Sequence, residues 1–255
     1  MSIARYADLQ GRIAVVTGGS RGIGAATALA LASNGARVAV VGRDKDALDA
    51  VVAAVRADGG TAIPAVADVT SEDQLAHVRE LVQGELGTPT LLAAFAGGLG
   101  APRPTVELDA ARWREILDTD LTSVFLTIQA FLPGMAASGG GSIVTMSSSA
   151  GRQPSRANAA YGAAKAGVVM LTRHLAAELG PQGIRVNCLA PSSIRTEKVA
   201  ARMPPETQQA VAAQHPLGRL GTPEDVAEAA LFLCSEASGW LSGLTVDVAG
   251  GRVTN

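Results

Sequence analysis

The chain has 255 residues, with 21 Lys+Arg against 23 Asp+Glu for a formal net charge of −2. Apolar side chains make up 47% and charged ones only 17%, below the ~25% charged that is usual, so a core can be buried and a disordered chain is excluded. The near-neutral balance argues against a nucleic-acid partner bound through its phosphates, and 3% aromatics leave little for base stacking.

Strands and helices alternate along the chain. Residues 12–17 read as a strand, 22–33 as a helix, 38–41 as a second strand and 44–57 as a helix with Asp44 suited to its N-cap. Two more strands follow over 62–66 and 90–94, with a helix over 71–86 between them. Residues 142–146 and 184–187 are later strands, and a helix is expected over 158–179. The strands are nearly continuous apolar runs, as in a sheet covered on both faces. Strand–helix alternation then implies right-handed crossovers and an open parallel α/β sheet. No linker-like shift divides the chain, so one domain over 1–255 is expected. The Ala-rich helices allow close packing, or reflect composition bias alone.

Other classes find little support. Cys188 and Cys234 are too few for a disulfide framework or a Cys-rich zinc site. His77, His174 and His215 are scattered, so no metal is expected. The opening MSIARYADLQ has no apolar signal core. The uncharged run 121–151 has the length to cross a bilayer, but Pro133-Gly134 and Gly139-Gly140-Gly141 are expected to break it into two buried elements. The expectation is a soluble, cytoplasmic protein without a membrane partner.

Two constellations carry chemistry. Thr17-Gly18-Gly19-Ser20-Arg21-Gly22-Ile23-Gly24 joins the first strand to the first helix. Glycine permits a sharp turn and close ligand approach, and the free amides at a helix start bind pyrophosphate. A tight turn alone would also use glycine, but this one lies at the first βα crossing. The second strand ends in Gly42-Arg43 rather than an acidic residue. With Arg21 nearby, two guanidinium groups stand where a ribose 2′-phosphate would bind, which favours NADP(H) over NAD(H).

Tyr161 and Lys165 lie four apart and so share one face of the expected helix. A phenol ordinarily ionises near pH ~10, and a nearby ammonium favours the phenolate. A buried Tyr beside a surface Lys on an amphipathic helix would give the same spacing. Ser148 lies 13 residues before Tyr161, just past a strand on the ligand-bearing edge, where its hydroxyl can hold a carbonyl oxygen. Serines there also serve turns. No G-x-S-x-G elbow is present to support a serine hydrolase.

Taken together, these segments resemble the short-chain dehydrogenase/reductase family over nearly the whole chain. Further matches are Asp68-Val69, Ala96-Gly97-Gly98, Asn187-x-x-Ala190-Pro191, the Pro216-Leu217-Gly218-Arg219 turn leading to Asp225, and Gly250-Gly251. The resemblance implies a seven-stranded Rossmann-like doubly wound sheet and hydride transfer between nicotinamide and a carbonyl or secondary alcohol carbon. It implies Tyr161 as acid/base, Lys165 on the nicotinamide ribose and Ser148 on the substrate oxygen. It places Gly18, Ser20, Arg21, Gly22, Ile23, Gly24, Arg43, Asp68, Val69, Ala96, Gly97, Pro191, Ile194 and Thr196 along the cofactor, with Asp68 at the adenine. Family members are usually homotetramers, sometimes dimers, packed through the helices near 108–137 and 158–179.

Four positions depart from the family pattern. Phe95 replaces an asparagine near the adenosine ribose, Asp120 replaces the catalytic asparagine, Ser192 replaces a glycine after Pro191, and Ala249 precedes Gly250-Gly251. A carboxylate at 120 is expected to perturb Lys165. The pattern is nearest to 3-oxoacyl-carrier-protein reductases, although Ala176-Ala177-Glu178 stands where their carrier-docking surface is basic. Residues 192–215 are expected to form a substrate lid, whose Arg195, Lys198 and Arg202 either attract an acidic substrate or are simply solvated. The substrate is expected to be a small or medium ketone or a 3-oxoacyl thioester. The alternative is a redox-silent NADP-binding regulatory protein in which Phe95 and Asp120 mark lost chemistry.

Overall fold

Consecutive residues of a strand point to opposite faces, so a strand with both faces covered needs apolar side chains throughout. The computed structural model describes residues 4–253, without the side chains of Lys198 and Arg202. In it, β1 (Ile13–Thr17) sends Ala14 and Val16 into one core and Val15 into the other. β2 (Arg37–Gly42) divides Val38 and Val40 from Ala39 and Val41 in the same way. The first core is closed by α1 (Gly22–Ser33), α2 (Lys45–Ala57) and α9 (Pro223–Cys234). The second is closed by α3 (Glu72–Glu85), α5 (Ser123–Ala137) and α6 (Ala159–Leu179).

With β3 (Thr61–Val66), β4 (Leu91–Ala94), β5 (Gly141–Met146), β6 (Ile184–Pro191) and β7 (Thr245–Val248), the strands form one sheet in the order β3-β2-β1-β4-β5-β6-β7. Every pairing is parallel. This is the seven-stranded doubly wound sheet expected. The chain winds outward from β1 to β3, then restarts on the other side of β1 as β4. The carboxyl ends of β1 and β4 therefore flank the switch point, where a crevice opens for a ligand.

Helix starts are fixed by side chains that accept from first-turn amides. Asp44 accepts from Ala47 N, as expected of an N-cap, Ser71 from Gln74 N and Asn158 from Tyr161 N. Thr222 and Asp225 form a reciprocal capping box at α9.

Three elements differ from expectation. The helix expected over 108–137 is divided: α4 (Ala110–Leu117) passes through a π turn, Asp118–Thr122, into α5. Pro133-Gly134 do not break the apolar run but lie inside α5, where burial of Phe131 and Met135 outweighs local propensity; the run is interrupted only at residues 138–140, where the glycines were expected to break it. The helical stretch Ala110–Ala137 is long and apolar enough to span a membrane, and it lays Val124, Ile128 and Phe131 in the second core. β6 runs on to Pro191 because Cys188–Pro191 find partners on β7, a contact that no local pattern announces. Residues 192–215, expected as a lid, hold two short helices, α7 (Glu197–Arg202) and α8 (Pro205–Ala212).

Candidate active site

The glycine turn leaves β1 at the switch point. Gly18 adopts φ +65°, and a Cβ there would come within 2.9 Å of the Phe95 carbonyl oxygen. A Cβ on Gly24 would overlap the Gly18 carbonyl, so the turn closes on α1 only with glycine in both places. Arg21 is the N-cap of α1 and places no side-chain acceptor on its first-turn amides, among the described residues. Those amides are left for an anion. The cradle thus fits a dinucleotide pyrophosphate. Ser20 packs by Gly42 at the end of β2, and Thr196 lies against Gly22. Ile23 and Gly24 open the helix itself. Thr17 Oγ1 accepts from Phe95 N and Ala96 N at 3.1 and 3.3 Å, tying the ends of β1 and β4 together. Phe95 itself is buried in the first core, so the lost asparagine is replaced by packing.

Both arginines proposed for the 2′ position lie at the β2 edge, and both are paired. Arg21 contacts the Asp44 carboxylate, and Arg43 Nη1 is 3.7 Å from Asp68 Oδ2. Asp44 therefore caps α2 and restrains Arg21 at once. Asp68 accepts from Thr70 N and Thr70 Oγ1 at 3.0 and 2.7 Å, which with Arg43 holds its carboxyl below the usual range. Val69 beside it is buried in the second core.

Tyr161 and Lys165 follow one another on the first turns of α6. The Lys165 side chain is buried, its Nζ 3.1 Å from Met146 O, 3.2 Å from Asp120 Oδ1 and 5.6 Å from the centre of the Tyr161 ring. The π turn is what brings Asp120 inward to meet it. Ser148 follows β5, its Oγ accepting from Ala150 N at 3.2 Å, which leaves its proton to donate elsewhere. Gly97 adopts φ +136°, and a Cβ there would strike Asp120 Oδ1. Pro191 is buried as the last residue of β6, and Ile194, buried beyond it, bridges Gly221. The structure therefore sets the proposed residues along the carboxyl edge of the sheet, with Arg43 after β2, Asp68 and Val69 after β3, and the others after β1, β4, β5 and β6 or on α6.

Several contributors were not legible in the sequence. Asn158 caps α6 and also donates to Leu99 O and Ala101 O at 2.9 and 3.0 Å. It thereby holds the loop after β4 over the helix. In that loop Gly100 lies on the Tyr161 ring: a Cβ would come within 2.9 Å of Cδ1 and Cε1. Buried Ser147 donates to Lys165 O at 2.7 Å. His215 Nε2 lies 3.0 Å from Ser192 Oγ and so ties together the two ends of the segment 192–215. Each depends on a contact between distant segments. Only the Asn before a helix start carried a local signal, that of a cap. No cluster able to hold a metal occurs among the described residues.

A doubly wound sheet whose switch point opens onto an uncapped helix start defines the Rossmann-like dinucleotide-binding class. Comparison with known proteins narrows it. A family model described as enoyl-(acyl carrier protein) reductase matches residues 18–252. Cis-4-hydroxycyclohexanecarboxylate dehydrogenase of Sinomonas cyclohexanicum is 42% identical over 240 residues, covering 94% of this chain and 96% of that protein. The 7alpha-hydroxysteroid dehydrogenase of Escherichia coli K12 is 37% identical over 245 residues, covering 96% and 95%. The structure of a 3-oxoacyl-[acyl-carrier protein] reductase with bound NAD from Brucella melitensis superposes with a TM-score of 0.90 at 34% identity, covering 98% of this chain and 94% of that one. The chain belongs to the short-chain dehydrogenase/reductase family, oxidoreductases that bind a nicotinamide cofactor.

Proposed function

We propose that the protein is an NADP(H)-dependent oxidoreductase that moves a hydride between nicotinamide and a carbonyl or secondary alcohol carbon of a small or medium substrate. The observation that carries this reading is the placement of Tyr161, Lys165 and Ser148 at the carboxyl edge of β4 and β5, beside the glycine cradle. The cofactor, when bound, gives up or accepts the hydride. Tyr161 supplies the proton to the substrate oxygen in reduction and takes it back in oxidation. Ser148 donates a hydrogen bond to the same oxygen and so aligns it with the phenol. Lys165, fixed by Met146 O and Asp120, offers its remaining proton toward the cofactor ribose. Gly18, Gly22 and the first amides of α1 hold the pyrophosphate, with Asp68 and Val69 toward the adenine.

Arg21 and Arg43 support NADP(H) over NAD(H), since guanidinium groups bind a phosphate in bidentate fashion. The relatives' names support a cyclic secondary alcohol or a 3-oxoacyl compound as the substrate class. Exposed Phe125 on α5 and Met170 on α6 support a homotetramer packed through these helices, and two free, buried cysteines suit a cytoplasmic setting. The redox-silent alternative loses support from Phe95, which is absorbed by the core, and from Asp120, which is fully bonded.

The test is NADPH consumption with a panel of cyclic and 3-oxo ketones, comparing wild type with Tyr161→Phe. Turnover in the wild type and its loss by at least ~100-fold in the variant, within the usual range for a lost acid–base group, is expected. Tight NADPH binding without turnover on any ketone would favour the silent reading.

A further inference from the structure

Three donors converge on Asp120. Gly98 N–H reaches Oδ1 at 2.6 Å, Leu99 N–H reaches Oδ2 at 3.1 Å, and the Lys165 ammonium reaches Oδ1 at 3.2 Å. The side chain is wholly buried. An ionised carboxylate only accepts, so it satisfies all three. An asparagine cannot do so. With its oxygen toward Gly98 and Lys165, its NH2 group would face the Leu99 N–H; flipped, it would face the ammonium. Residue 120 is thus matched to this loop as an acid.

The pairing has an electrostatic consequence. A lone buried ammonium beside Tyr161 favours the negatively charged phenolate that forms during alcohol oxidation. A carboxylate in contact with the same ammonium cancels most of that field, the more so in a site screened from water. The other charged and titratable groups packed around the pair do not replace the missing charge. Cys188 on β6 is kept as a neutral thiol by burial, and Asp118 on the same π turn is exposed. Arg152, in the turn that packs on α6, is held by Asp247 of β7 at 3.0 Å.

Resting on the hydride-transfer reading above, we propose that Asp120 is a positioning residue that pairs with Lys165 and withholds its positive charge from Tyr161, so that alcohol oxidation sets in at higher pH than an asparagine at 120 would allow.

The test is the pH profile of kcat/KM for NADP+-linked oxidation of cyclohexanol by the wild type, Asp120→Asn and Asn158→Ser. Both variants loosen the loop over 98–101, because serine keeps the α6 cap but loses the bonds to Leu99 O and Ala101 O. Only Asp120→Asn removes the charge. Its rising limb is expected about one pH unit lower, a roughly tenfold gain at a fixed pH on that limb, while Asn158→Ser lowers kcat/KM without moving the limb. Asp120→Ser, smaller and uncharged, gives a second reading of the limb should the asparagine variant fold poorly. An unmoved limb in the uncharged variants, or an equal shift in Asn158→Ser, would overturn the proposal while leaving hydride transfer standing. Absence of turnover in the wild type on any alcohol would instead overturn the hydride-transfer reading, and this proposal with it.

Discussion

The imidazole of His215 joins α8 to the residue that follows β6 at the edge of the cofactor crevice: Nε2 lies 3.0 Å from Ser192 Oγ, and Nδ1 lies 2.9 Å from Val211 O on α8. Because a carbonyl only accepts, Nδ1 carries the proton in the neutral ring and Nε2 accepts from the serine hydroxyl. Ser192, which departs from the glycine of the family pattern, therefore supplies a bond that glycine could not. His215 is 3% exposed, so its loss is felt in the interior. Ser192→Gly is expected to cost about 1 kcal/mol and His215→Ala about 1–3 kcal/mol, because the latter removes both hydrogen bonds of a buried ring and the packing that the ring supplies. Urea unfolding of both singles and the double should show coupling of about 1 kcal/mol. Strictly additive effects would mean that the two side chains do not stabilise each other.

The arginines at the β2 edge make a prediction about cofactor choice. Arg43→Ala removes a charge-assisted contact worth about 1.5–3 kcal/mol, so NADPH should bind roughly 10–100-fold more weakly while NADH changes little. Asp44→Asn should act in the opposite direction. Asparagine caps a helix as well as aspartate, so α2 keeps its start, but Arg21 is released from its carboxylate partner. NADPH affinity should then rise several-fold, measured by quenching of Trp fluorescence or by nucleotide fluorescence. Equal effects of Arg43→Ala on both nucleotides would remove the basis for an NADP(H) preference.

The cysteines should be inert in the folded protein. Burial pushes the Cys234 thiol up to about 12 and also raises that of Cys188. The thiolate is the reactive species, so a thiol reagent at pH 8 should label neither residue in the native state and both after unfolding in urea. Rapid native labelling of either would contradict the burial described here.

How much of this was legible beforehand differs between fold and site. β-branched runs such as Val38 to Val41 announced strands buried on both faces, and Gly18 to Gly24 announced the crossing at the switch point, because both signals are local. β7 was not located, since Thr245–Val248 is short and half-buried and is defined by its pairing with the end of β6. The Tyr161 and Lys165 spacing gave their shared face, but not the direction in which the ammonium points. That depends on Asp120, 45 residues away and turned inward by a π turn that no helical periodicity predicts. Likewise the sequence places Arg21 and Arg43 near the 2′ position but does not show their pairing with Asp44 and Asp68, which become neighbours only through side-chain geometry.

The last prediction concerns the anchor of the segment that carries Ile194 and Thr196. Gly221 accepts from Arg195 N at 2.8 Å, and the next residue, Thr222, starts α9. Asp225 holds this junction twice: its carboxylate accepts from Thr222 N at 2.7 Å and from Arg219 Nη2 at 2.8 Å. The Arg219 hydrogen bond, followed by that of Thr222, places the Asp225 carboxyl below its usual value of 3.8 despite opposing burial. A carboxyl lowered on folding adds stability that is fully present above its unfolded value and is lost as pH falls through the folded value. Asp225→Asn should therefore be less stable than the wild type at pH 7, with the gap constant down to about pH 5 and closing below about pH 4 as the native carboxylate takes up its proton. Urea midpoints measured across that range decide it. A gap that persists undiminished in strong acid would show that Asp225 acts through shape rather than charge, and raising the salt concentration at pH 7 should then leave the gap unchanged as well, whereas an ion pair this exposed on the Arg219 side is partly screened.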